Sequence, residues 1–112
     1  MTILSTPISI NELEQKSQNI FGDMIKCVAD IRTKKLSLDG ELHSDLESLM
    51  LDDGSEQEDL WGFNLYPNLS GKDFIEFDSL INIRPRQNNF SRYVENENIR
   101  KQIEEIVRLW IR

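Results

Sequence analysis

From Met24 to Ile31 the side chains alternate, with Ile25, Cys27, Ala29 and Ile31 on one face and Met24, Lys26, Val28 and Asp30 on the other. A β-strand presents its residues in that two-residue rhythm. Arg32 to Lys35 is a short polar connection, after which Leu36 and Leu38 resume the alternation up to Asp39-Gly40. The two segments are expected to form a hairpin. A longer alternation sets Ile75, Phe77, Ser79, Ile81 and Ile83 against Glu76, Asp78, Leu80, Asn82 and Arg84, and it stops at Pro85. This predicts a long half-buried strand ended by the proline. Upstream, Trp61, Phe63 and Leu65 alternate with Gly62, Asn64 and Tyr66, and Pro67 to Asp73 supplies a loop. With that loop centred on Ser70, Phe63 faces Phe77, Leu65 faces Ile75 and Trp61 faces Ser79, all on one face. A slip of one residue would turn the whole set to solvent.

Three segments carry the helical period instead. Ser9 with Glu12 has the spacing of a capping box, Ile8 and Leu13 that of a hydrophobic staple, and Ile10, Leu13, Ile20 and Phe21 lie roughly along one face until Gly22. A helix is expected from about Ile10 to Ile20. Ser44 and Glu47 repeat the capping spacing ahead of Leu46, Leu49 and Met50, which suggests a short helix ending before Asp53-Gly54, although a strand through Leu42 and Leu46 is also conceivable. The last segment, from about Glu97 to Ile111 after the cap Asn96, lines up Ile99, Ile103, Ile106, Val107, Trp110 and Ile111 opposite Arg100, Glu104 and Arg108. The expected architecture is one α+β domain over residues 1–112 in the order α-β-β-α-β-β-α. Two hairpins would form a four-stranded, mainly antiparallel sheet with helices packed on one face.

A length of 112 residues suits one modest core. Thirteen Lys and Arg against twenty Asp and Glu leave a net charge of −7, which argues against a general binder of nucleic acid, whose affinity comes from neutralising phosphates. The acidity is local. Lys and Arg are absent between Lys35 and Lys72, where Asp39, Glu41, Asp45, Glu47, Asp52, Asp53, Glu56, Glu58 and Asp59 all fall. Ser79 to Val94 contains Arg84, Arg86 and Arg92 and no carboxylate. The plain reading is a solvated acidic face partly compensated by those arginines. The sharper one is a docking surface over 39–59 for a basic protein partner. Asp52-Asp53-Gly54-Ser55-Glu56 places oxygen ligands near a glycine but departs from the calcium-loop pattern, so no metal is expected. No apolar run reaches the roughly 20 residues of a membrane span. Met1 to Pro7 does not look like a secretory leader, and a lone Cys27 fits a reducing cytoplasm.

Candidate chemistry gathers around the second hairpin. Asn64, Tyr66, Glu76, Asp78, Asn82 and Arg84 would share the face opposite the apolar pairs, followed by the donor-rich Arg86, Gln87, Asn88, Asn89, Ser91 and Arg92. Arginine forks with amide and hydroxyl donors suit a carboxylate or phosphate, so Asn64, Tyr66, Asn82, Arg84, Arg86, Asn89, Ser91 and Arg92 are the candidate ligand-binding set. The competing reading makes them loop ties and helix caps. His43, the only histidine, could act as acid or base with Glu41 or Asp45 to orient it, or serve as a hydrogen-bonded structural residue. Cys27 lacks an activating base and reads as packing. Gly62 between Trp61 and Phe63 marks either a bulge or a place where something packs tightly on the sheet. The sequence holds no nucleotide-binding or hydrolase motif, and no cofactor is expected.

Phe21-Gly22-Asp23-Met24, Gly40-Glu41-Leu42-His43, Gln57-Glu58-Asp59-Leu60-Trp61-Gly62 with Asn64-Leu65-Tyr66-Pro67, and Ile75-Glu76-Phe77-Asp78-Ser79 through Ile81-Asn82-Ile83-Arg84-Pro85 to Gln87, Asn89 and Ser91 together resemble an uncharacterised family of small prokaryotic proteins, a domain of unknown function. The resemblance runs from about Pro7 to the C-terminal helix. It implies a bacterial or archaeal cytoplasmic protein and brings no activity or catalytic residue with it. In the family pattern a glycine is usual where this chain has Asn88, and an arginine or similar residue where it has Phe90. The expected function is a non-enzymatic binding or protein-interaction module using the polar sheet face and the Arg/Asn-rich loop. The alternative is a small enzyme acting on an anionic metabolite, with Arg84 and Arg86 holding the anion and His43 as acid or base. Open sheet edges and the Trp110-bearing helix are compatible with a homodimer.

Overall fold

The computed structural model describes all residues, 1–112. Five strands, β1 (Thr2–Ile3), β2 (Ile25–Asp30), β3 (Lys35–Leu38), β4 (Leu60–Leu65) and β5 (Ile75–Glu76), form one sheet in the order β1-β3-β2-β4-β5. Every pairing is antiparallel. The helices are α1 (Ile10–Ser17), α2 (His43–Asp52) and α3 (Glu97–Trp110). The sheet therefore has five strands where the pattern predicts four. The additional β1 is only two residues long, too short for alternation to announce it, and it pairs Thr2 with Leu38 and Ile3 with Ser37.

The strand alternation divides two cores. Cys27, Ala29, Leu36, Leu38, Trp61, Phe63 and Leu65 point to one face, where Leu13 of α1 and Ile103, Ile106 and Val107 of α3 cover them. Val28 and Leu60 point to the other, against Leu46 and Met50 of α2. Helices on one face alone are thus corrected to helices on both. The reason lies in α2: Leu46 and Met50, one turn apart, supply the apolar contact that the second face needs, and beneath them the Ser37 hydroxyl has two acceptors within reach for its one proton, Val28 O at 3.2 Å and Met50 Sδ at 3.1 Å. The segment that admitted helix or strand is helix.

Local signals set most element boundaries. Ser9 caps α1 by accepting from Glu12 N at 3.1 Å, with Ile8 and Leu13 both buried in the main core. That helix stops at Ser17, short of the expected Ile20, because the Ser17 hydroxyl turns back to Glu14 O at 2.6 Å and Gly22 N closes onto Ser17 O. Asn96 caps α3 by accepting from Asn98 N and Ile99 N. Ser44 does not cap α2: the residue before that helix is Leu42, and Ser44 already lies in its first turn.

The second hairpin keeps the expected register where it pairs, with Leu65 opposite Ile75 and Asn64 opposite Glu76. The long strand to Arg84 does not form. The chain leaves the sheet after Glu76, makes a single 3-10 turn at Leu80–Asn82 and another at Pro85–Gln87, and returns to α3. Asn88 adopts φ 59°, a left-handed turn that asparagine tolerates, so the loop makes here with asparagine the kind of turn that glycine favours.

Candidate functional site

Beyond Asn64 the edge of β4 is closed by a loop instead of a strand. Asn82, fully buried, accepts from Gly62 N through Oδ1 at 2.9 Å and donates from Nδ2 to Gly62 O at 2.9 Å and to Arg92 O at 3.0 Å. One side-chain amide thereby stands in for the backbone of a neighbouring strand. The fit requires glycine: a Cβ at position 62 would lie 2.6 Å from Ser79 Oγ and 2.7 Å from Ser79 Cβ. Gly62 thus marks a tight-packing site, and what packs there is Ser79 at the head of the loop.

Asn89 organises the rest of that loop. Its Nδ2 donates to the carbonyls of Asn82 at 2.7 Å, Tyr93 at 2.8 Å and Ser91 at 3.0 Å, while Oδ1 accepts from Glu95 N at 2.9 Å. Ser91 donates from its backbone N and its hydroxyl to the Glu95 carboxylate, which also takes Phe90 N at 2.7 Å. These bonds hold Glu95 below the usual carboxylate range.

The arginines of the candidate set go to different places. Arg84 donates to Glu47 of α2 at 3.2 Å and stacks 5.0 Å from the Trp61 ring, with its side chain 10% exposed. Burial pulls its guanidinium down from its ordinary value and the Glu47 charge opposes that. Arg92 forks onto Asp78, Nε at 2.7 Å and Nη2 at 3.2 Å. Arg86 lies on the exposed turn. The polar sheet face expected to be open is closed: Asn64 is 3% exposed, and its Nδ2 donates to Glu76 at 2.9 Å and to Asp78 O at 3.3 Å. Tyr66 OH donates to the same Glu76 at 3.1 Å, and burial first, then that carboxylate, pushes the phenol up.

His43 opens α2, yet its ring turns to the sheet and Nε2 donates to Phe63 O at 2.9 Å. Neither Glu41 nor Asp45 bonds it. Desolvation is the largest influence on the imidazole and lowers its pKa below the ordinary 6.5, Lys26 adds to that, and the Phe63 carbonyl opposes it. A base whose folded pKa is depressed lends stability that is full above 6.5 and is lost as pH falls through the folded value. Asp30 and Glu95 are depressed from 3.8 and 4.5, so their losses come only at lower pH. As pH falls below 6.5 and while it stays above the carboxylate window, the unfolding free energy should fall with acidification until the folded imidazole is protonated, by at most about 1.4 kcal/mol per pH unit. Urea melts across that interval should show the slope in the wild type and a flatter line in His43→Gln.

The acidic segment is partly compensated from outside it. Arg32 pairs with Asp59 at 3.0 Å, Lys35 with Asp53 at 2.9 Å and Arg84 with Glu47, while Glu41, Asp45, Asp52, Glu56 and Glu58 make no ion pair. Cys27 is buried, and its thiol is pushed well up by that burial. Trp110, at the end of α3, donates from Nε1 to Lys34 O at 2.8 Å, tying the helix to the β2–β3 turn.

Leu69, Ile75, Phe77 and Tyr93, which sequence reasoning did not place in a site, border β5 together with Tyr66 of the candidate set. A groove of about 600 Å³ runs past Tyr66, Leu69, Ile75, Phe77 and Tyr93, with Lys72, Asp73, Glu76 and Asp78 on its rim. A second depression of about 330 Å³ shares Lys72 and Ile75 and reaches Glu104 and Arg108 of α3. Phe77 meets Tyr93 edge-on at 6.2 Å. The only signal was half-apolar alternation at Phe77, which reads equally as strand core. None of the helices is long and apolar enough to cross a membrane. No curated protein and no solved structure matches the chain. Residues 2–110 match the family described as a protein of unknown function (DUF5674), and the chain belongs to that family.

Proposed function

We propose that this chain is a non-enzymatic interaction module that receives an extended, basic polypeptide segment along β5. The observation that carries the reading is the groove itself, which borders the last strand of the sheet, where no further strand pairs. An edge strand offers backbone hydrogen bonds to an added strand, and pockets beside it select alternate side chains. Half-exposed aromatic residues are the side chains enriched at such surfaces. With Asp78 bridged to Arg92, Asp73 and Glu76 outweigh Lys72 on the rim, which favours a partner carrying Lys or Arg. The engagement of His43, Arg84, Asn82 and Asn89 inside the fold supports a binding role over catalysis by those groups.

Selection of random displayed peptides on the immobilised protein tests this. The expected winners alternate Lys or Arg with β-branched or aromatic residues, and their addition shifts the amide resonances of Tyr66, Ile75 and Phe77. Asp73→Lys should weaken them about tenfold, the equivalent of about 1.4 kcal/mol. Failure to enrich any basic sequence, or shifts confined to α2 and the acidic 39–59 segment, would overturn the groove as the docking site.

A further inference from the structure

A cavity of about 120 Å³, sharing no lining residue with the groove, opens at the first turn of α2. Lys26 of β2, His43 and Ser44 of α2, and Ser79 and Arg92 of the closing loop converge on it. Two of these are nine-tenths buried or more and still hold unspent polar capacity. His43, 7% exposed, commits Nε2 to the Phe63 carbonyl and leaves Nδ1 without a partner. Ser79, 1% exposed, accepts from Ile81 N at 3.3 Å while its own hydroxyl proton is not donated. Arg92 is oriented by Asp78 through Nε and Nη2, so Nη1 stays available. Leu42 has no side-chain acceptor to cap α2, and while Asp45 N turns to Leu42 O, the amides of His43 and Ser44 are left without a cap at the positive end of the helix.

We propose that this cavity binds one phosphate group, free or as the monoester of a small molecule. Donors line it on several sides: the amides and hydroxyl of the helix turn, the Ser79 hydroxyl, Arg92, and Lys26, whose Nζ lies 5.3 Å from the Phe21 ring and must swing off it to reach an anion. A carboxylate has only two oxygens to offer such a set. With its proton on Nε2, His43 presents a lone pair at Nδ1, and the P–OH of a hydrogen phosphate donates to it. Sulfate at neutral pH has no such proton. The volume admits a single tetrahedral oxyanion and excludes a nucleobase. The charged groups facing the ring are Lys26, Arg92 and Asp78, the last already bridged by Arg92.

An NMR titration of the intact protein with sodium phosphate at neutral pH, against sodium chloride at matched ionic strength, tests the site. Saturable shifts of the Ser44 amide and the His43 ring are expected with phosphate alone. His43→Ala risks the fold, because it removes the Phe63 contact, so the informative variants are Lys26→Gln and Arg92→Gln on half-buried and exposed side chains. Each should weaken phosphate about tenfold while leaving distant amides unmoved. Glycerol phosphate binding more tightly than inorganic phosphate identifies a monoester as the source, and equal or weaker binding identifies free phosphate; either supports the site. Shifts that follow ionic strength, equal saturation by sulfate or acetate, or indifference to both variants would overturn it.

Discussion

Asn82→Ala should remove about 2 to 6 kcal/mol of stability, a large loss for a single polar residue. The substitution strips three bonds at once and leaves Gly62 N and Gly62 O without their partner, while Arg92 O keeps the bond from Ser79 N. Each buried backbone group abandoned in that way costs about 1 to 3 kcal/mol. Set against a typical stability of about 5 to 15 kcal/mol, the variant sits near the limit of folding. Asn82→Asp separates bonding from shape. It keeps the acceptor for Gly62 N but turns a carboxylate oxygen towards two carbonyls, so at neutral pH it should cost at least as much as alanine despite being isosteric. Urea denaturation of both variants, repeated at acid pH where the introduced carboxyl is protonated and donates again, should show the aspartate variant recovering relative to alanine. Equal stabilities for wild type and Asn82→Ala would refute the account.

Gly62→Ala should cost about 3 kcal/mol, at the upper end of what overpacking usually costs. A methyl there meets Ser79 Oγ at 2.6 Å and Ile81 Cγ1 at 3.0 Å. Ser79 cannot easily retreat, since its backbone N is bonded to Arg92 O at 3.1 Å. The loop must lift, and lifting it also stretches the Asn82 bonds. The double variant Gly62→Ala with Ser79→Gly removes the obstructing side chain and should recover more than half of the loss after the cost of Ser79→Gly alone is subtracted. A double-mutant cycle in urea measures that coupling, and additive losses would place the damage elsewhere.

The legible parts of the molecule are those in which one local rule decides the outcome. The Asn96 cap and the stripe from Ile99 to Ile111 require only the helical period, and the Leu65–Ile75 register follows from a loop centred on Ser70. The segment from Phe77 to Arg84 misleads because its alternation is real while its backbone does not pair with β4. Asn82 looks like the solvent-facing member of a strand, and a buried amide that replaces a strand has the same one-letter signature. The second face of the sheet was hidden for a related reason: Leu46 and Met50 announce an apolar helix face without saying which side of β2 it will cover. Of the candidate site residues, Asn82, Asn89, Ser91 and Arg92 do lie together in one loop, where their polar atoms hold that loop to the sheet. Arg84 instead joins Glu47, a partner 37 positions away that no spacing rule could supply.

The amide of Gly62 has an unusual guardian. Its neighbours along β4 are protected by β2, so their exchange with solvent deuterium waits on separation of the central strands. The Gly62 N–H points to a side chain on a loop, and it becomes exposed whenever that loop detaches, with the sheet intact. Its exchange rate would therefore clock a partial opening of the molecule rather than its unfolding. Because Ser79 and Arg92 belong to the same loop, the same opening would dismantle the small cavity at α2. A phosphate bound there should slow deuterium uptake at Gly62 without slowing it at Val28 directly across the strand pair.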